Sequence, residues 1–244
     1  MNSPYLNDVQ IILVIIEHCQ DSREDWTMTL LAPRQNYHHG NLQEALILAA
    51  KRMVRKDGAE HLSLRAVAAQ VGVSPSAAYH YFPDKDALIT GVGEALFDEL
   101  ADLQEKQIAL HTGEDAEAAR ARFRALGKTY FDWAINEPNL FRLMFGAFCA
   151  IEQDEGSQAR REESRAWQLL QKGLDDLLTA GAMNPQMRPY GELLAWSSVH
   201  GASALIVEGH LPPEAFEAVL DAVYLSLGVT GGVAASTPKK AGKK

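Results

Sequence analysis

The sequence predicts an all-α fold, a small N-terminal bundle of three helices leading into a larger helical domain. Three observations predict it. Apolar residues recur at three- and four-residue spacing along almost every segment between residues 41 and 228, the period of one helix face rather than the alternation of a strand. Within residues 61–88, Ser63, Gly72, Ser74-Pro75 and Pro83-Asp84 punctuate the chain so as to cut out two short helices and open a third. The length of 244 residues suffices for one large or two modest hydrophobic cores.

In chain order, residues 1–33 stand apart as an extension. Residues 9–16 are apolar apart from Gln10, and acidic residues follow. The run is too short to span a membrane and lacks the basic flank and cleavage site of a signal peptide. Met28 offers a second start, so residues 1–27 read as an upstream extension; a docking helix is the competing reading. Residues 34–90 form the small domain. Its first helix is expected from Asn41, which with Glu44 matches a capping box; Leu42, Ala45, Leu46, Ala49, Met53 and Val54 make the apolar stripe, and Gly58 stops it. Ser63 caps a helix whose Leu64, Val67, Ala68 and Val71 share a face, and Gly72 takes the left-handed position after it. Ser74 caps the next, with Pro75 at its first position, and Pro83 ends it near Phe82. Asp84 opens a long helix to about His111. Residues 91–230 form the larger domain. Further helices are expected from 113 to a break at Glu137-Pro138, over 139–151, from a polar break at 153–158 to about Ala180, and over 191–209 and 214–228, with a loop at 181–189. Residues 231–244, rich in Gly, Ala, Pro and Lys, read as a disordered tail.

Two short helices joined by a tight glycine-containing turn make a helix-turn-helix. Its second helix is the element that enters the major groove of double-stranded DNA. Ser74, Ser76, Ala77, Tyr79, His80 and Tyr81 suit that role: small residues permit close approach, hydroxyls bond phosphates or base edges, and alanine touches a thymine methyl. Ser63, Arg65 and Lys85 join them as candidate contacts from the flanking helices. Arg34, Tyr37 and His38 form a candidate arm for the minor groove or a phosphate, against which stands a plain solvated tail. On spacing alone, an ordinary helical hairpin with Tyr79 and Tyr81 as core aromatics stays open.

Residues 73–88, VSPSAAYHYFPDKDAL, closely resemble the recognition region of TetR-family transcriptional regulators, whose pattern is V-S/T-x-x-x-L-Y-x-H/Y-F-x-x-K-x-x-L. Two departures stand out: Ala78 in place of leucine, which thins the packing, and Tyr81 in place of histidine, which alters a phosphate contact. Residues 37–42 are similar to the approach to the family's first helix. Residues 137–145 and the pattern Trp196-x-x-x-His200-Gly201 resemble one group of its C-terminal domains. The resemblance is specific over the small domain and looser elsewhere. It implies a homodimeric DNA-binding regulator, a repressor released from a palindromic operator by a small molecule. Open alternatives are an activator or ligand-independent regulator on the same fold, and a small-molecule-binding protein without DNA binding.

In the larger domain, Ser197, Gly201 and neighbouring small residues make a slim helix face that permits close packing. The last two helices are therefore the expected dimer interface, with Ser197, Gly201, Leu205, Phe216, Leu220 and Tyr224 as candidates; packing within one chain is the other reading. Aromatic and sulfur density singles out Trp133, Phe141, Met144, Phe145, Phe148, Trp167, Trp196 and His200 as candidates to line a pocket for an unknown small-molecule effector. A helical core looks the same.

The net charge is −9, which does not advertise a nucleic-acid partner, but its distribution does. Between Arg34 and Val92 seven basic residues meet five acidic ones, leaving the one net-basic region and the salt-sensitive part of DNA affinity. Cys19 and Cys149 imply neither a disulfide framework nor metal-site spacing, and a cytoplasmic protein without cofactor or metal is expected. His200 and His210 are ten apart, not a metal pair. No phosphate loop, nucleophile elbow or paired metal ligand supports an enzyme, and Gly91-Val92-Gly93 lies within a helical pattern.

Overall fold

The computed structural model describes residues 39–148 and 164–229, and side chains from residue 42 to 146 and in the second stretch. Among the described residues are nine α-helices and no strand. The N-terminal extension, Arg34, Tyr37, His38, both cysteines, the polar break at 153–158 and the tail lie outside them.

Helix α1 spans His39–Asp57. It begins two residues before the expected cap, so Asn41 lies inside the helix; helix ends are the part of an element that local sequence fixes least. Leu46, Ala49, Ala50 and Val54 are buried, and Gly58, at φ 86°, leads into a 3₁₀ turn at Ala59–His61. Helix α2 (Leu64–Val71) starts where the Ser63 hydroxyl accepts the Ala66 N–H at 3.2 Å. It ends at Gly72, φ 79°, with Gly72 N–H donating to Ala69 O and Val73 N–H to Ala68 O, the paired bonds of a Schellman motif. Helix α3 (Pro75–Tyr81) is capped by Ser74, whose hydroxyl accepts the Ala77 N–H at 3.3 Å. Helix α4 (Lys85–Ile108) is capped by Asp84, accepting the Ala87 N–H at 2.8 Å.

The larger domain continues with α5 (Ala116–Asn136), capped by Asp115, and the short α6 (Pro138–Arg142). The single helix expected over 139–151 instead widens after α6 into a π-helical turn at Leu143–Phe148, a geometry that no side-chain pattern announces. Helix α7 (Arg165–Thr179) follows, then α8 (Gly191–Val207) and α9 (Ala215–Ser226). The expected loop before α8 contains a 3₁₀ turn at Pro185–Tyr190.

One apolar cluster runs from Leu46, Val67 and Phe82 in the head, through Leu88, Val92 and Leu96 of α4, to Phe131, Phe141 and Phe216 of the body. Gly91 sits mid-helix in α4 because a β-carbon there would lie 3.0 Å from the Phe82 ring. Phe131 stacks on Phe216 at 3.9 Å. A second cluster, around Phe123, Leu174, Leu177 and Leu227, closes the far end. Polar ties add to the seam. Arg55 of α1 donates to Glu137 at 2.7 Å, Asn139 donates to the Arg55 carbonyl at 3.1 Å, and Lys51 pairs with Glu99.

Candidate nucleic-acid interface and interior cavity

Helix α3 is oriented from both ends. Ser74 caps its start, while Ala78 and Phe82 are buried and fix its rotation. Solvent then meets Ser74, Ser76, Tyr79 and His80, with Ala77 and Tyr81 half-buried. The outward face thus carries hydroxyls and an imidazole, with Pro75 and the half-buried Ala77 as its aliphatic groups. The Tyr81 ring meets His80 edge-on at 5.5 Å and packs partly against the core. Arg65 is exposed on α2. Two expected contacts have structural tasks, that of Ser63 expected from the sequence and that of Lys85 not. Lys85 donates to the Ala59 carbonyl at 3.0 Å, closing the 3₁₀ turn, and the Ser63 hydroxyl is engaged in its cap.

The body holds a cavity of about 250 Å³ between α4, α5, α7, α8 and α9. Its wall is mainly aromatic and aliphatic, and no Asp, Glu, Lys or Arg lines it among the described residues. His200 Nδ1 lies 2.8 Å from the Tyr130 hydroxyl, and the imidazole stacks on Trp196 at 5.7 Å and meets Phe145 at 4.6 Å. Burial holds the imidazole below its ordinary pKa and so neutral at pH 7. Burial likewise raises the Tyr224 phenol, which donates to the Arg120 carbonyl at 2.7 Å.

Of the residues expected at a pocket, Phe145, Trp167, Trp196 and His200 meet at this cavity. Trp133, Phe141 and Met144 do not line it; they are buried in the core. The Phe148 side chain lies outside the described residues. Composition cannot separate the two groups, because the same helices present aromatic side chains both to the core and to the cavity. Gln104, Tyr130 and Tyr224 were missed as wall residues. Gln104 carried a signal: Leu96, Leu100 and Gln104 are four apart on α4, which places a glutamine on an apolar face.

Residues 46–92 match the family described as bacterial regulatory proteins, tetR family, and residues 123–225 match tetracyclin repressor-like, C-terminal domain. The chain belongs to the TetR family. Among curated relatives, the nucleoid occlusion factor SlmA of Edwardsiella ictaluri is 27% identical over 129 residues. That match covers 51% of this chain and 60% of the relative's length. A solved structure of a protein of unknown function from Rhodococcus sp. RHA1 superposes with a TM-score of 0.65 at 29% identity, covering 80% of this chain and 99% of that one. A TetR family transcription regulator from Marinobacter aquaeolei VT8 gives 0.55 at 23% identity over 78% and 97%, a likeness of fold.

In this TetR-family chain the outward face of α8 is a stripe of Leu193, Ser197, Gly201 and Leu205, four apart, with Leu193 68% and Leu205 45% exposed. The expected interface residues on α9 face the other way. Phe216, Leu220 and Tyr224 are buried within the chain, the first stacked on Phe131 and the other two lining the cavity. The large side chains of α9 fill their own core, leaving Ala218, Ala222 and the 70%-exposed Leu225 outside. Among the described residues no group of three His, Cys, Asp or Glu could hold a metal ion, and no helix is long and apolar enough to cross a membrane.

Proposed function

We propose that the chain is a homodimeric repressor that reads a two-fold DNA site with α3 and is released by a small molecule in the cavity. The observation that carries this reading is the outward face of α3, whose capped and core-anchored helix presents Ser76, Tyr79 and His80 to solvent. Such groups bond base edges and phosphates, and Arg65 and Lys85 flank them as phosphate contacts. Two copies joined through the stripes of α8 and α9 pack as a four-helix bundle. Their α3 helices then enter successive major grooves about 34 Å apart, and the operator is palindromic. The sequence-level candidates Arg34, Tyr37 and His38 remain part of this proposal as an arm.

Release follows from linkage: a ligand that favours the DNA-free spacing lowers DNA affinity by its differential affinity for the two forms. Two elements connect cavity and head. Helix α4 carries Phe97, Leu100 and Gln104 on the cavity and Leu88 in the head core. Phe145, in the turn after α6, also lines the cavity, while α6 and the residue before it hold α1 through Asn139 and Glu137.

The test is selection of duplexes from a random pool by the purified protein. A palindrome is expected, bound by a dimer, weakened by salt, and bound about tenfold less tightly after Tyr79→Ala. A pool without enrichment, or a parent and variant that bind alike, overturns the reading. A reporter driven from the recovered site separates repression from activation.

A further inference from the structure

We infer that the cavity takes a small uncharged aromatic molecule with a hydroxyl-like group, bound by Gln104 and Trp167. The inference rests on the reading of the cavity as the effector site and gives that effector a chemical class.

Size comes first. An engineered apolar cavity of about 150 Å³ holds one benzene ring, so about 250 Å³ accommodates a ring with a short substituent, or two fused rings. Its walls are flat. Phe145, Trp167, Trp196 and His200 line it, and a wall of rings favours an aromatic ligand.

Charge comes next. No Asp, Glu, Lys or Arg lines the cavity among the described residues, and burial keeps His200 neutral. An ionised ligand would leave water without a counter-charge, which is strongly unfavourable. The described wall therefore favours the neutral counterpart of a carboxylate or ammonium.

Two wall atoms then specify the polar group. Gln104 is 6% exposed, and its Nε2 donates to the Leu126 carbonyl at 3.3 Å. That bond fixes which end of the amide is which, leaving Oε1 as a buried acceptor with no partner among the described residues. The Trp167 Nε1–H is a buried donor in the same position, on a ring set edge-on to Trp196 at 6.1 Å. Buried polar groups are nearly always paired. A ligand hydroxyl that donates to the first, or accepts from the second, gives that atom the partner it now lacks, and a phenol can do either.

Calorimetry on the full-length protein tests this with four probes of one shape: 4-propylphenol, 4-propylanisole, propylbenzene and 4-propylbenzoate. The phenol binds about tenfold more tightly than the anisole, which cannot donate, and the benzoate does not bind. Gln104→Leu, which keeps the volume, removes the preference for phenol over anisole while the anisole still binds. Trp167→Phe weakens both oxygenated probes and leaves propylbenzene unchanged. Benzoate binding as tightly as phenol, no probe binding, or an unchanged phenol-to-anisole ratio in Gln104→Leu overturns the inference, and unchanged affinities in Trp167→Phe remove the assignment of that indole. Operator binding measured with saturating phenol separates the two readings. Unaltered DNA affinity leaves the ligand class standing and removes the effector role.

Discussion

In the head, each of the helices α2, α3 and α4 begins at a side chain that caps it: Ser63, Ser74 and Asp84 accept from the amide three residues on. Around the cavity, α5 and α7 have such caps in Asp115 and Ser164, but α8 and α9 begin without one and are held by the burial of Ala195, Val199, Leu220 and Val223. Local hydrogen bonds hold the DNA-reading surface in shape whatever fills the body. The α8 and α9 side of the cavity wall is held by packing, which an added ring displaces. On the proposed function, a ligand would change the distance between two heads rather than the form of either.

The largest expected effect comes at the seam between the regions. Phe82→Ala removes a ring buried to 3% and packed over Gly91, and should cost about 3–5 kcal/mol in urea unfolding. Head and body should lose stability together; loss confined to the head would show that the comparison divides the molecule more deeply than its core does. Ser74→Ala acts on the head alone. It should cost about 1 kcal/mol and lower DNA affinity while probe binding in the cavity is unchanged; an equal loss at both sites would break the comparison. The smallest effect belongs to the cavity side. Because burial lowers the pKa of His200 in the folded state, the unfolded chain binds its proton first as pH falls below about 6.5. This contribution to stability is present above that pH and is lost progressively between it and the lower folded value. Denaturant titrations from about pH 7 to 5 should show a shallower decline for His200→Gln than for the parent; identical curves would place the histidine outside the buried network.

The head was legible because its signals are local. Ser63, Gly72, Ser74, Pro75 and Asp84 specify their own backbone geometry within a few residues. Only the start of α1 moved, to two residues before the capping box that Asn41 and Glu44 offered. The cavity was half legible. Phe145, Trp167, Trp196 and His200 reach it, while Trp133, Phe141 and Met144, equally aromatic or soft, pack into the core. That choice depends on how helices cross, which no single stretch encodes. On α9, attention to large residues selected the buried face, and Ala218, Ala222 and Leu225 were passed over although their spacing was visible. Gln104 was the clearest missed sign, a polar side chain at an apolar step of α4.

The cluster joining Leu46 and Phe82 to Phe131 and Phe216 has a calorimetric consequence. With no apolar gap between head and body, heat should melt them in one endotherm, and calorimetric and van't Hoff enthalpies should agree. A molecule seated beside Gln104 then raises the melting temperature of α3, which it never touches. At a hundred times its dissociation constant it adds about 2.7 kcal/mol to the whole cooperative unit. Amide protons of α2 and α3 that exchange through global opening should slow by the same factor, so occupancy of the body is recorded in the exchange rates of the head.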